Sequence, residues 1–373
     1  MHNVLWWGII IFILEFLRWH TMNSKRMVIA TFSLLLSALL IMGAINFAID
    51  PLFQYHKPWF GLKANVIDER YQNAGIAKNF EFENVIIGNS MSENFLVSDV
   101  EELFDGTTVK LTASGSYVLD WTYLLDILAD RQEPPQNILM NLDSGFFDAS
   151  SKETRYEMPM FLYDNNYLND VEYLFNFTLT RKYSYGAIKA NESNTIPNYD
   201  TIFAWTSKYQ IGKDVVLAEY ETAKKKKKAE DIASPPCFYT DGNLRLLGKY
   251  FEEMPETQFV FFCSPFSVLY WKEKYDSDML EEYKAQFEKT FEFMSQYENV
   301  TVYFWTDKEM LGVISDLDNY KDSTHYGMHI NKEMILRMGN DIGVLSKDEN
   351  QWKPLLDEYF DYLENFDYET IFE

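Results

Sequence analysis

The feature that most constrains this chain is a run of 21 residues without a charge, from Met27 to Phe47. A helix of that length, at about 1.5 Å per residue, spans the ~30 Å hydrocarbon core of a bilayer. Lys25 and Arg26 directly precede the run, so the positive-inside rule predicts a cytoplasmic start and an extracytoplasmic remainder. A cleaved signal peptide is the alternative, but its apolar region is usually shorter, and no small-residue cleavage motif follows here. We therefore predict a single-pass transmembrane anchor over residues 27–49.

The residues before the anchor, 1–26, are open to two interpretations. Val4–Leu14 is apolar but only 11 residues long before Glu15, which is short for a membrane span. This segment is either a marginal membrane helix, or it precedes a translation start at Met22 and is not native.

Charge and composition exclude several classes of protein. The chain has 373 residues, with 57 acidic against 33 basic side chains and a net charge of −24. Such acidity argues against a nucleic-acid partner, because binding phosphates requires a basic face. Only Cys237 and Cys263 are present, so a disulfide framework and a cysteine-based zinc site are excluded, although the two could bridge or stay reduced. We expect no metal and no cofactor.

Short apolar runs alternate with helical segments beyond the anchor. Near-continuous apolar runs of this kind are typical of parallel strands that are covered on both faces. The alternation predicts an α/β fold built of βαβ units around a parallel sheet of about five strands. The predicted strands are Val85–Ile87, Thr108–Leu111, Asn137–Leu142, Gln258–Cys263 and Val300–Phe304, and the predicted helices are Leu119–Ala129, Asp278–Tyr297 and Ile330–Arg337. Residues 354–373 are also compatible with a helix.

The alternation is interrupted once, by about 115 residues between the third and fourth strands. We predict a cap inserted on the sheet over residues 150–235, within an extracytoplasmic domain that covers residues 50–373. The insertion contains Lys224–Lys228, which we interpret as a solvated helix face rather than a contact for an anionic polymer.

Chemistry-bearing residues follow the strands, where ligands bind in parallel sheets. Ser90 follows Gly88 and Asn89 at the exit of the first strand, where a strand-to-helix turn can expose a hydroxyl. Asp322 and His325 are three residues apart near the end of the chain, so that one loop can present both. An aspartate can hold an imidazole in the tautomer that accepts a serine proton.

Taken together, these motifs resemble the SGNH/GDSL hydrolase superfamily, in particular its membrane-anchored extracytoplasmic branch associated with bacterial surface-polysaccharide acylation and teichoic-acid D-alanylation. The likeness covers about residues 82–343 and leaves the cap unmatched. It is carried by Gly88-Asn89-Ser90 in place of Gly-Asp-Ser, by Gly115 after the second strand, by Asp322 to Tyr326, and by Cys263-Ser264-Pro265-Phe266.

The resemblance implies a flavodoxin-like three-layer sandwich. It also implies a triad of Ser90, His325 and Asp322, with the backbone N–H groups of Ser90 and Gly115 as oxyanion donors. The family's third donor is normally an asparagine after strand three. Asp143 stands at that position, and an ionised carboxylate cannot donate a hydrogen bond. Either Asn141 or Ser144 substitutes, or Asp143 is protonated, or two donors suffice. Asn89, Asp143 and Tyr326 are expected to lie near the site.

Two functions remain open from the sequence. The first is a membrane-anchored serine esterase or O-acyltransferase that acts on acyl esters of bacterial cell-surface polysaccharide, with a surface glycan or acyl donor and a multi-spanning membrane acyltransferase as expected partners. The second is a non-catalytic accessory factor of the same fold for envelope glycan assembly. A metal-dependent phosphoesterase is less compatible with the sequence, because Asp316, Asp318 and Asp322 lack the spacing of a ligand set.

Overall fold

The computed structural model describes residues 24–166, 168–227 and 237–372. Its centre is a sheet of five parallel strands in the order β2-β1-β3-β4-β5. The sheet and the helices around it confirm the predicted α/β fold class. The strands are β1 Asn84–Gly88, β2 Thr108–Thr112, β3 Asn137–Leu142, β4 Gln258–Cys263 and β5 Val300–Tyr303.

The strands are buried along almost their whole length because helices cover both faces of the sheet. The helices are α1 Ser24–Ile49, α2 Glu69–Asn79, α3 Val97–Phe104, α4 Val118–Ala129, α5 Ser144–Asp148, α6 Met160–Tyr163, α7 Val171–Leu174, α8 Phe177–Leu179, α9 Tyr185–Glu192, α10 Lys213–Lys227, α11 Thr240–Glu253, α12 Val268–Tyr275, α13 Leu280–Met294, α14 Lys308–Ser315, α15 Met328–Met338 and α16 Glu349–Glu364. A π-helical turn, Thr180–Ser184, joins α8 to α9, and 3₁₀ turns form at Thr206–Lys208, Leu317–Asn319 and Tyr368–Phe372.

Helix boundaries differ from the predicted ones where the chain supplies a start or stop signal. The helix predicted from Asp278 begins at Leu280, because Asp278 has a left-handed backbone (φ 56°) that no helix continues. The C-terminal helix begins at Glu349, earlier than the predicted segment, because the Asp348 side chain caps it by accepting a hydrogen bond from the Asn350 N–H.

The predicted insertion, residues 150–235, lies between β3 and β4 and contains α6 to α10, with α5 before it and α11 after it. Residues 228–236 are outside the described part of the chain, and so is one end of the lysine run, Lys228. Within the described part, Asn243 of α11 donates side-chain hydrogen bonds to the carbonyls of Phe146 and Ala149. The segment that follows the insertion is therefore joined to the segment that precedes it, directly after β3.

The apolar segment near the start of the chain forms α1, of 26 residues. Among the described residues it is the one helix long and apolar enough to cross a membrane. That length and composition suit a membrane anchor or a signal sequence. The interpretation of segment 1–26 rests largely on residues 1–23, which lie outside the described residues.

Candidate active site

Ser90 lies in the turn that follows β1, and a glycine makes this turn possible. Gly88 has a φ of 152°, and a Cβ at this position would lie 2.1 Å from Oδ1 of Asn141 and 2.3 Å from Oγ of Ser92. Any side chain there would collide with both neighbours, so only glycine lets the chain leave β1 in this direction. The turn leaves the Ser90 hydroxyl only partly buried, at the carboxyl end of the sheet.

The structure brings Ser90, His325 and Asp322 together from opposite ends of the domain. The Ser90 Oγ lies 2.8 Å from Nε2 of His325, and Nδ1 of the same ring lies 2.8 Å from Oδ2 of Asp322 and 3.0 Å from Oδ1. In this geometry the ring donates from Nδ1 to the carboxylate, which leaves Nε2 to accept the serine proton.

Asp322 remains a carboxylate because its loop surrounds it with donors. Burial by itself raises the pKa of Asp322, but hydrogen bonds from the ring and the backbone N–H of His325 and from the N–H of Thr324 hold that pKa well below the usual aspartate range. The Thr324 hydroxyl also lies 3.0 Å from Oδ1 of the carboxylate. The loop therefore keeps a negative charge beside the imidazole.

Two backbone N–H groups beside Ser90 are free to bind an oxyanion. Most amides around them are engaged: those of Asn89 and Met91 donate to side-chain oxygens, and those of Ala113 and Ser116 donate to backbone carbonyls. Across the described residues, no hydrogen bond is made by the N–H of Ser90 or of Gly115. Both residues line the cavity that also contains His325.

Two side chains of α2 hold the loop that carries Gly115, through the backbone N–H and the backbone carbonyl of Ser114. Glu69 accepts a hydrogen bond from the Ser114 N–H at 2.8 Å, and the Arg70 guanidinium donates to the Ser114 carbonyl at 2.6 Å. Gly115 itself has a φ of 64°, in the left-handed region that favours glycine. The first two residues of one helix thus fix the direction of the Gly115 N–H.

The exit of β3 does not supply a third donor from Asn141, contrary to one of the sequence alternatives. The Asn141 amide donates to Oδ2 of Asp143 at 2.7 Å, and its Oδ1 accepts from the Asn89 N–H at 3.0 Å. This side chain is buried, because it belongs to β3 and faces the end of β1 rather than the cavity. Ser144, the other alternative, lines a smaller cavity of about 210 Å³ next to Ser90.

Asp143 is the buried centre of a small polar network. Its Oδ2 accepts from the side-chain amides of both Asn89 (2.9 Å) and Asn141 (2.7 Å). Burial raises the pKa of Asp143, against the opposing effect of the Asn89 amide. The network fixes the β1 and β3 exits relative to each other.

Tyr326, which was expected near the site, is buried below it. Its side chain lines neither cavity, and its backbone pairs with Tyr320. Asp316 caps a local turn, and Asp318 accepts a hydrogen bond from the Lys213 N–H at the start of α10. Among the described residues, no group of three or more His, Cys, Asp or Glu side chains is arranged to hold a metal ion.

The main cavity has a volume of about 660 Å³ and is largely walled by residues that sequence reasoning did not single out. Trp205, from the insertion, donates from Nε1 to the Ser90 carbonyl at 2.8 Å, and its ring packs edge-on against His325 at 5.4 Å. Lys321 lies over the rings of Trp205 and Tyr209. The further polar and aromatic wall residues are Asp68, Arg70, Tyr71, Arg155, Tyr156 and Lys208.

A buried carboxyl pair links the Ser90 turn to α2 at one side of this cavity. Glu93, three residues after Ser90, shares a hydrogen bond with Glu69. Burial and the neighbouring charge of Glu69 raise the pKa of Glu93 to about 9, so this carboxyl is protonated at neutral pH. Beneath the pair, the buried ammonium of Lys110 donates to the carbonyls of Glu93 and Ile202, both at 2.9 Å. The position of Glu93 on the turn was a sequence signal that could have been noticed.

Comparison of the chain with protein-family models, with curated proteins and with solved structures gives no match.

Proposed function

We propose that this chain is a serine-dependent esterase or O-acyltransferase of the SGNH type. The observation that carries the proposal is the line of three groups, with Ser90 Oγ 2.8 Å from His325 Nε2 and His325 Nδ1 2.8 Å from Asp322 Oδ2. The free N–H groups of Ser90 and Gly115 support the same chemistry, because acyl transfer needs donors where negative charge develops on the carbonyl oxygen.

In the proposed reaction, Ser90 Oγ attacks the ester carbonyl and His325 Nε2 takes the hydroxyl proton. The carbonyl electron pair moves to the oxygen, which the two N–H groups bind. When the tetrahedral intermediate collapses, His325 returns the proton to the leaving alkoxide, and an acyl-Ser90 ester remains. Water or a glycan hydroxyl then attacks that ester while His325 takes its proton. The bond between Ser90 Oγ and the acyl carbon breaks, His325 returns the proton to Oγ, and the acyl group leaves on the water or the glycan. Asp322 stabilises the imidazolium throughout.

The substrate we propose is an acyl ester of a bacterial cell-surface polysaccharide, or the acyl donor for one. An open cavity of about 660 Å³ with aromatic and cationic walls suits a sugar ring and its polar substituents. With α1 as the anchor and Lys25 and Arg26 on the cytoplasmic side, the cavity faces the outside of the cell. A multi-spanning membrane acyltransferase is the partner proposed for the transfer reaction.

The experiment uses the full chain in lipid nanodiscs, with a fluorophosphonate probe and an activated acetyl ester. We expect the probe to label Ser90 covalently, and Ser90→Ala to lose labelling and at least about 10³-fold in kcat. Ser207→Ala, at an exposed serine of the insertion, is the control and should keep both. Hydrolysis by Ser90→Ala at the parent rate would refute the proposal.

The alternative is a non-catalytic accessory factor for envelope glycan assembly. One observation favours it: the side-chain amides of Asn89 and Asn141 both donate to Asp143, so neither is available as a third oxyanion donor. Loss of one donor typically costs about 10²–10³ in rate. A folded protein that binds glycan but whose Ser90 resists the fluorophosphonate would favour this alternative.

A further inference from the structure

The end of α1 is built into the domain rather than attached to it by a flexible linker. Asn46, three residues before the end of the helix, is completely buried. Its amide donates to the Leu174 carbonyl at 2.9 Å, and its Oδ1 accepts from the Ser184 hydroxyl at 2.9 Å. One turn earlier, Gly43 lies so close to Phe175 that a Cβ would come within 2.9 Å of the ring. Cleavage of α1 as a signal sequence would remove these contacts.

The residue that follows α1 makes the joint rigid. Asp50 is completely buried, and its carboxylate accepts hydrogen bonds from the N–H groups of Gln54 (2.9 Å), Tyr55 (2.7 Å) and His56 (2.8 Å). The Tyr173 hydroxyl donates to the same carboxylate at 2.6 Å. Four donors on one buried carboxylate fix the angle at which the domain leaves the helix.

Exposed apolar side chains surround this joint. Trp59 stacks on His56 with ring centroids 3.6 Å apart and packs edge-on against Phe47 of α1. Phe60 is 75% exposed, Leu168 85% and Phe177 69%. We call Trp59, Phe60, Leu168, Val171, Phe175 and Phe177 the apolar collar; all six are exposed.

Hydrogen bonds tie the separate parts of the collar to the joint. The carbonyl of Asn176, next to Phe177, accepts from the Asn46 amide at 3.4 Å. Asp170, two residues after Leu168, accepts from the Tyr55 hydroxyl at 2.8 Å. Two collar residues also lie against α1 itself, since Trp59 packs on Phe47 and Phe175 lies beside Gly43. Exposed aromatic rings at the end of a membrane helix are typical of the layer between lipid chains and water.

The same joint also holds one wall of the Ser90 cavity. The Tyr183 hydroxyl donates to Asp68 at 2.8 Å, and its ring stacks on Tyr71 with centroids 6.2 Å apart. Asp68 and Tyr71 line the cavity, while Ser184, the next residue after Tyr183, bonds to Asn46 of α1. Only a few contacts thus separate the membrane helix from the cavity wall.

We propose that the apolar collar is seated in the interfacial layer of the lipid bilayer around the end of α1, and that it holds the Ser90 cavity beside the membrane surface. The seating depends on lipid contact and not on chemistry at Ser90, so this proposal and the proposed function can fail separately.

The test is spin-label accessibility in the full chain, in nanodiscs of phosphatidylglycerol and phosphatidylcholine. Nitroxide is attached at Leu168→Cys, Phe60→Cys or Phe177→Cys in a Cys237→Ser background. Both native cysteines are free, but Cys263 is buried and burial raises the pKa of its thiol well above the usual value, so it will not be labelled. Leu355→Cys is the control, since this exposed leucine lies on α16, which packs against Phe304 directly after β5.

We expect relaxation by oxygen to exceed relaxation by a water-soluble nickel chelate severalfold at positions 60, 168 and 177, because oxygen concentrates in lipid. The order should reverse at position 355. The proposal would be overturned if the nickel chelate reaches the three collar positions as readily as it reaches position 355. Three separate collar positions keep the test decisive if one variant fails to fold.

Discussion

The loop of Asp322 and the buried strand exit of Asp143 flank the same serine, but they place a carboxyl group in opposite environments. Burial raises the pKa of Asp322, but hydrogen bonds from His325 and Thr324 outweigh this effect and keep the pKa well below the usual aspartate range. Burial dominates at Asp143 and raises its pKa, and also at Glu93, whose pKa is about 9. One side of the site therefore keeps a charge for the imidazole, whereas the other uses carboxyl groups to join backbone segments.

The largest expected effect comes from removing the charge on the first side. Asp322→Asn should leave the fold intact and lower kcat on an activated acyl ester by about 10⁴-fold, because the amide favours the wrong imidazole tautomer. Circular dichroism checks the fold. Asp316→Asn is the control, since this exposed residue caps a turn and asparagine caps equally well. If Asp322→Asn lowers kcat by less than tenfold, Asp322 and Asp143 do not differ in their roles as proposed.

The matching substitution on the other side, Asp143→Asn, should affect stability more than chemistry. One amide oxygen can still accept from Asn89 and Asn141, but an NH₂ group replaces the second buried oxygen. We expect the free energy of unfolding to fall by about 1–3 kcal/mol in urea titrations, while kcat changes by no more than about tenfold, equivalent to about 1.4 kcal/mol. A kcat loss as large as that of Asp322→Asn would place Asp143 in the catalytic machinery.

Glu93→Gln tests the buried carboxyl pair through the pH dependence of stability. A carboxyl whose folded pKa is raised contributes stability that is fully present below its unfolded value of 4.5 and is lost as the pH rises through about 9. Thermal unfolding of the parent should therefore shift downward between pH 6 and pH 9 by at least about 2 °C more than that of Glu93→Gln. Lys110 has its pKa lowered to about 8 by burial and titrates in the same window, but it is present in both proteins. Glu102→Gln, at an exposed site, should behave like the parent, and parallel curves for parent and Glu93→Gln would contradict the assignment.

The smallest effect is expected at Thr324, whose hydroxyl supplies one of several donors to Asp322. Thr324→Val should lower kcat by about threefold, or about 0.65 kcal/mol, because the N–H groups of Thr324 and His325 still hold the carboxylate. Single-turnover kinetics with the activated ester can measure this difference. An unchanged kcat would mean that the backbone donors alone fix Asp322.

Sequence reasoning predicted the sheet well because its strands are short apolar runs with local signals. β3 and β4 have the predicted bounds, and β1 and β2 extend the prediction by one residue at one or both ends. The spacing of Asp322 and His325 was equally informative, because one loop holds both residues.

The features of the site that sequence reasoning missed depend on contacts between residues far apart in the chain. Nothing in the local sequence indicates that the Asn141 side chain faces the end of β1, since this depends on the register of two parallel strands. Trp205 belongs to an insertion without clear periodicity, and only the folded chain brings its indole to the Ser90 carbonyl 115 residues away.

The two hydrogen bonds that α2 makes to the backbone of Ser114 have a consequence for inhibition. Because Glu69 and Arg70 already hold the backbone on either side of the Ser114 Cα, the anion pocket of the proposed function would need little rearrangement during the reaction. A boronic acid, which becomes tetrahedral and anionic on the serine, would bind in a pocket whose shape is already fixed. The affinity of such an inhibitor would then depend on how well its side group fits the aromatic and cationic wall of the cavity.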